Sequence, residues 1–86
     1  MSLKIEKAGD LEEIAKHMTD AVIQRRHKTK PRFWDLKDLI CHFENDNGFD
    51  YKVRVKIWEE MNGYEMKKSY DNILKLLTAI VEGNKK

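Results

Sequence analysis

Apolar positions recur every three or four residues over most of the chain, which is typical of amphipathic helices. In the first such stretch, Asp10 and Glu13 have the spacing of a capping box that would open a helix. Pro31 would end it, because the residue before a proline avoids the helical region. These features predict a first helix over 10–29. Its apolar stripe consists of Leu11, Ile14, Ala15, Met18, Ala21 and Val22.

The same spacing predicts a second helix over 31–45 and a last helix over 65–82. Between the second helix and the next segment, residues 45–48 are Asn-Asp-Asn-Gly, all of which favour turns, so we expect a loop there. The last helix should stop at Gly83. The inner stripe of the second helix is Leu36, Leu39, Ile40 and Phe43. The stripe of the last is Met66, Tyr70, Ile73, Leu74, Leu77, Ile80 and Val81.

Residues 50–61 fit two kinds of structure. Apolar residues alternate with basic ones over 51–57, which is typical of a strand and gives an α+β alternative. Read as a helix, the same segment has Asp50 in place as a cap at its start. A hairpin would instead place Glu60 opposite Glu65, which is unfavourable. The pattern therefore favours a helix over 50–61 and leaves the strand as the alternative.

These elements predict a mainly α protein, a small domain of three to four helices that spans residues 1–86. Residues 1–8 alternate only weakly, so a short strand and a disordered lead-in both remain open. A chain of 86 residues buries about 60–65% of its unfolded surface, enough for one thin core. The 37% of charged residues, against about 25% in an average protein, indicates wide solvated helix faces around that core.

The strongest local charge lies in residues 25–32, here called the basic run. It holds five permanent positive charges and no acidic residue, whereas the whole chain has a formal net charge of only +2. Such a local patch indicates a polyanion or an acidic partner. Phe33 and Trp34 follow at once, and aromatic side chains stack on unpaired bases. The candidate nucleic-acid-binding residues of the run are Arg25, Arg26, Lys28, Lys30 and Arg32.

A second basic set, Lys52, Arg54 and Lys56, lies in the segment with two interpretations. In a helix these charges occupy the first two turns, where the helix dipole disfavours cations. The succession of helix, loop and helix over 31–61 has the outline of a helix-turn-helix, whose second helix meets DNA with its N-terminal part. We therefore predict that this set extends the nucleic-acid-binding surface. In a strand, the same residues would only protect a sheet edge.

The last apolar stripe predicts contact between two copies of the chain. Its residues have near-heptad spacing over 66–81, which suits the pairing of helices. A homodimer through this helix would also suit a protein that binds two half-sites of DNA.

Other kinds of chemistry have no support in the sequence. Asp35, Asp38 and His42 share one face of the second helix, but this face lies opposite the apolar stripe, where solvated polar groups are expected. The chain has no CxxC, no His-x-x-x-His, no P-loop and no GxGxxG. We predict that the protein is not an enzyme and takes no metal, cofactor or small-molecule substrate.

The lone cysteine, Cys41, excludes an intramolecular disulfide, and no segment reads as a signal peptide or a membrane span. These observations predict a cytoplasmic protein with no membrane contact. Together with the basic run they favour a small nucleic-acid-binding protein of the transcription-regulator type, acting as a homodimer. The alternative is a helical adaptor for protein–protein interaction, whose basic patch docks an acidic partner.

Overall fold

The computed structural model describes residues 2–28, 34–63 and 65–85. Within them the chain forms four helices and no strand, which confirms the predicted mainly α fold. The α+β alternative is wrong, because residues 51–57 are helical. The helices are α1 (Asp10–Lys28), α2 (Trp34–Asn47), α3 (Tyr51–Glu60) and α4 (Tyr70–Asn84).

The core is built from the predicted apolar stripes. In α1, α2 and α4 the buried residues follow the helical spacing read from the sequence, and α3 contributes the indole of Trp58. Leu3, which precedes the first helix, joins the same cluster. The buried helical side chains are Ile14, Ala15, Met18, Val22, Leu36, Ile40, Phe43, Trp58, Ile73, Leu76, Leu77 and Ile80.

Residues 2–6 are irregular and are held by the last turn of α2. The Leu3 N–H donates to Asp46 Oδ2 at 2.8 Å, and the Ile5 N–H donates to Asn47 Oδ1 at 2.8 Å. The Asn47 amide also donates to the Leu3 carbonyl at 2.9 Å. Side chains of α2 thus satisfy backbone groups that a strand partner would otherwise take, and the start of α1 lies beside the end of α2.

The start of α3 lies beside the end of α4. The Asp50 N–H donates to Asn84 Oδ1 at 3.0 Å. Next to Asn84, Gly83 allows close packing, because a Cβ there would lie 2.5 Å from Cγ1 of Val53. Gly83 therefore does not stop α4 as predicted; it lies inside the helix as a point of close approach to α3.

The first helix starts at the predicted residue but without the predicted capping box, and the last helix starts later than predicted. The Asp10 carboxylate does not close a capping box, since it accepts the N–H groups of Glu6 and Lys7, which precede the helix, at 2.9 and 3.0 Å. These bonds lower the pKa of Asp10. The last helix starts at residue 70 rather than 65, because Ser69 adopts an extended backbone and caps it by accepting the N–H of Asn72.

The end of α2 is a Schellman motif. Gly48 has a φ of 66°, the Phe49 N–H donates to the Glu44 carbonyl at 2.9 Å, and the Gly48 N–H donates to the Asn45 carbonyl. The Phe49 ring packs edge-on against Phe43, with centroids 5.7 Å apart. The predicted loop over 45–48 is therefore wrong for its first three residues, which complete the helix.

The end of α3 is a second Schellman motif with asparagine in the left-handed position. Asn62 has a φ of 54°, and its N–H donates to the Glu59 carbonyl at 3.1 Å. The Gly63 N–H donates to the Trp58 carbonyl at 2.9 Å. A Cβ on Gly63 would lie 2.3 Å from the indole of Trp58, so this glycine is needed for packing rather than for its backbone angle.

The two motifs predict that one substitution in each will change the free energy of unfolding in opposite directions. Gly48→Ala should lower the free energy of unfolding by about 1 kcal/mol, because alanine is strained at this φ while nothing lies within 4 Å of its Cβ. Asn62→Gly should raise it by about 0.5 kcal/mol, because glycine has no such strain. Urea denaturation of both variants measures the effects. If both substitutions changed the free energy of unfolding in the same direction, the assignment of the two Schellman motifs would be contradicted.

Candidate nucleic-acid interface

The basic run begins on the last turn of α1, and this helix is polarised in charge. Its first turn carries three acids, Asp10, Glu12 and Glu13. Arg25, Arg26 and Lys28 lie at the other end, separated from Asp10 by up to about 27 Å along the axis at 1.5 Å per residue. This placement keeps the cations away from the acids of the same helix and complements the helix dipole.

The rest of the predicted run lies outside the described residues; this holds for Lys30 and Arg32, and also for Pro31 and Phe33. The structure therefore places the start of the run in the last turn of α1.

Lys52 and Lys56 of the second basic set lie on the outer face of α3, where both side chains are exposed. The connection between α2 and α3 is three residues long, the length of a helix-turn-helix turn. However, the same outer face carries Glu59 and Glu60 in its last turn, so it is not uniformly basic.

Arg54 does not belong to that outer face. Its Nε donates to Glu44 Oε1 at 3.1 Å, and the two side chains are only 11% and 5% exposed. Burial raises the pKa of Glu44, while the charge of Arg54 and its hydrogen bond lower it. Glu44 Oε2 is buried and accepts no hydrogen bond from a described residue. Arg54 thus joins α3 to α2 and is poorly placed to contact a phosphate.

The second basic set and the described part of the basic run lie toward opposite ends of α1. Residues 46 and 47 hold the segment that leads into α1, and Asp50, the N-cap of α3, follows three residues later. The first turn of α3 is therefore at the end of the bundle where α1 begins. The basic run starts at the other end of α1.

Part of the apolar stripe that predicted a homodimer is buried in the protein's own core. Ile73, Leu77 and Ile80 are fully buried, and α4 packs mainly against α1 and α3. Leu74 is only partly buried, and Tyr70 is 36% exposed. A second copy that contacts α4 would therefore meet the exposed edge of the stripe rather than its buried residues.

The sequence reasoning did not identify two features of α3. The first is the Glu44–Arg54 ion pair, and the second is a pair of exposed apolar residues, Tyr51 at 60% and Val55 at 38% exposure. The helical spacing that separates the inner from the outer positions would have placed Tyr51 and Val55 together on the outer face.

No group of three or more histidine, cysteine or acidic side chains able to hold a metal ion occurs in the described part of the chain. Among the same residues, no helix is long and apolar enough to cross a membrane. Comparison with known proteins found no matching family model, no matching curated protein and no matching solved structure.

Proposed function

We propose that the protein is a small helical nucleic-acid-binding protein that contacts the phosphate backbone through Arg25, Arg26, Lys28, Lys30 and Arg32. The observation that carries this proposal is the concentration of five cations from the end of α1 onward, away from the acidic first turn of that helix. Lys52 and Lys56 are left out of the contact surface, because acids share their face and it lies toward the opposite end of the bundle from the last turn of α1. Arg54 is left out because it is paired.

The expected affinity is dominated by counterion release. If all five cations neutralise phosphates, binding should weaken about 10²–10³-fold between 50 and 200 mM salt. The contact is one of charge rather than of base sequence, so different duplexes of equal length should bind with similar affinity.

The test is fluorescence anisotropy with a short labelled duplex, with and without Arg25→Glu and Arg26→Glu. We expect the double variant to bind about tenfold more weakly or worse and to show a shallower salt dependence. The matched control is Lys16→Glu with Lys75→Glu, which changes the net charge equally at two exposed lysines elsewhere. Equal loss in the control, or no salt-sensitive binding of the wild type to DNA or RNA, would overturn the proposal.

The second candidate is a protein–protein adaptor, favoured by the exposed Tyr51 and Val55, because phosphate contacts do not require apolar surface. In this case the basic run docks an acidic protein surface instead of a nucleic acid. Competition separates the two candidates. A nucleic-acid binder prefers duplex DNA to polyglutamate at equal charge concentration, whereas an adaptor for acidic proteins shows no such preference.

A further inference from the structure

The outer face of α3 is a continuous surface that the rest of the described chain leaves uncovered. Six of its ten residues are exposed, and at 100° per residue they occupy one half of the helix. Lys52 and Glu59 lie on the centre line of this half. Tyr51 and Val55 lie along one edge, and the remaining members are Lys56 and Glu60.

The charges on this face are arranged against the helix dipole. Lys52 and Lys56 occupy the first two turns, and Glu59 and Glu60 occupy the last turn. For Lys52, Glu59 and Glu60, which lie in the terminal turns, each position is unfavourable by about 0.3–1 kcal/mol in an isolated helix. Among the described residues, no hydrogen bond or ion pair to the charged ends of these four side chains compensates for the arrangement. The charged ends of these four side chains are therefore available to a partner surface.

We propose that a second copy of this chain packs antiparallel on the outer face of α3. In an antiparallel pair related by a twofold axis, the basic half of one helix faces the acidic half of the other. Lys52 and Glu59 are seven residues apart, two helical turns, and both lie on the centre line. Lys52 of each copy then meets Glu59 of the other, so the same ion pair forms twice.

The apolar residues fit the same arrangement. A twofold axis midway between Lys52 and Glu59 passes between positions 55 and 56, so Val55 of each copy lies against the aliphatic stem of Lys56 of the other. Tyr51 of each copy lies beside Glu60 of the other, at the margin of the contact. Each exposed residue of the face thus has a counterpart on the second copy, as an isologous interface requires.

The contact is small. A helix of ten residues is about 15 Å long, and its outer face covers much less than the ~800 Å² per partner of a standard interface. The dimer is therefore weak and salt-sensitive, and it forms at high protein concentration. This inference does not depend on nucleic-acid binding, since it concerns a face of α3 that the proposed contact surface does not include.

The test is sedimentation equilibrium at low salt with two single substitutions, Lys52→Glu and Glu59→Lys. Each places like charges opposite one another twice in the dimer, so each should weaken self-association about tenfold or more. An equimolar mixture of the two variants should recover dimerisation. In the mixed dimer the two introduced charges have opposite signs and face each other, while the native pair is kept on the other side of the axis. Lys75→Glu on the exposed face of α4 is the matched control and should leave the dimer unchanged.

Unfolding of the variants can be distinguished from loss of the dimer. Both substitutions correct the charge order of α3 with respect to the dipole, so each should keep or raise the thermal stability of the monomer while weakening the dimer. A wild type that stays monomeric at about 1 mM overturns the proposal, since weak interfaces associate at that concentration. Variants that dimerise as well as the wild type, or a mixture that recovers nothing, overturn it as well.

Discussion

Replacing Phe43 with alanine is expected to lower the free energy of unfolding by about 3–5 kcal/mol. The Phe43 side chain is fully buried, and its ring also packs against Phe49 in the Schellman motif that ends α2. The substitution thus removes core volume and the contact that seals the helix end. A domain of this size has about 5–10 kcal/mol of stability in total, so the variant should be partly unfolded at about 37 °C.

Urea denaturation followed by far-ultraviolet circular dichroism measures this effect. The control is Ile23→Ala on α1, because the Ile23 side chain is 40% exposed and should lose less than about 1 kcal/mol. A Phe43→Ala variant that is no less stable than Ile23→Ala would show that Phe43 is not part of a packed core.

Replacing Arg54 with methionine is expected to lower the free energy of unfolding by about 2–4 kcal/mol at pH 7. The arginine is the partner of a carboxylate that is itself buried, so its removal leaves the charge of Glu44 without compensation. Methionine keeps much of the side-chain volume, so the loss reports the charge more than the packing.

The stability lost in Arg54→Met should depend on pH, and the pKa of Glu44 sets the direction. Burial raises the pKa of Glu44 above its ordinary value of 4.5, so the folded protein holds that proton more tightly than the unfolded chain does. The contribution of Glu44 to the free energy of unfolding is therefore most favourable below pH 4.5, and it weakens as the pH rises through the pKa that Glu44 has in the folded protein. Without Arg54 this pKa rises further. The difference between wild type and Arg54→Met should thus grow as the pH increases from about 4.5 and vanish below it.

The double variant Glu44→Gln with Arg54→Met completes the experiment. It removes both charges, so it should recover most of the stability that Arg54→Met loses at about pH 7. Chemical denaturation at about pH 4 and about pH 7 gives all the required values. A double variant that is less stable than Arg54→Met alone would contradict the role assigned to the pair.

The helices could be predicted from the sequence because their apolar residues repeat locally. The stripe from Leu36 to Phe43 and the stripe from Ile73 to Ile80 needed no knowledge of their partners, and their main residues are buried as predicted. For α3, the aspartate cap at residue 50 supported the correct choice over a strand, and its side chain accepts the Lys52 N–H at 2.8 Å.

The sequence-based predictions are wrong for residues that contact a distant part of the chain. Asp46 and Asn47 are turn-forming types, but here they stay helical and hold Leu3 and Ile5, more than 40 residues earlier. In the sequence, Arg54 resembles a surface cation, because its neighbours along the chain do not show that it pairs with the buried Glu44. Local patterns carry no information on such pairings.

The central claim is that nucleic acid is bound by the basic run at the end of α1. The most direct measurement is a titration of ¹⁵N-labelled protein with a short duplex at about 100 mM salt, followed through backbone amide shifts. We predict that the largest shifts fall on residues 24–32, that the amides of α3 stay unchanged, and that added salt reverses the shifts. Shifts centred on α3 with none at the end of α1, or no salt-sensitive shifts at all, would contradict the claim.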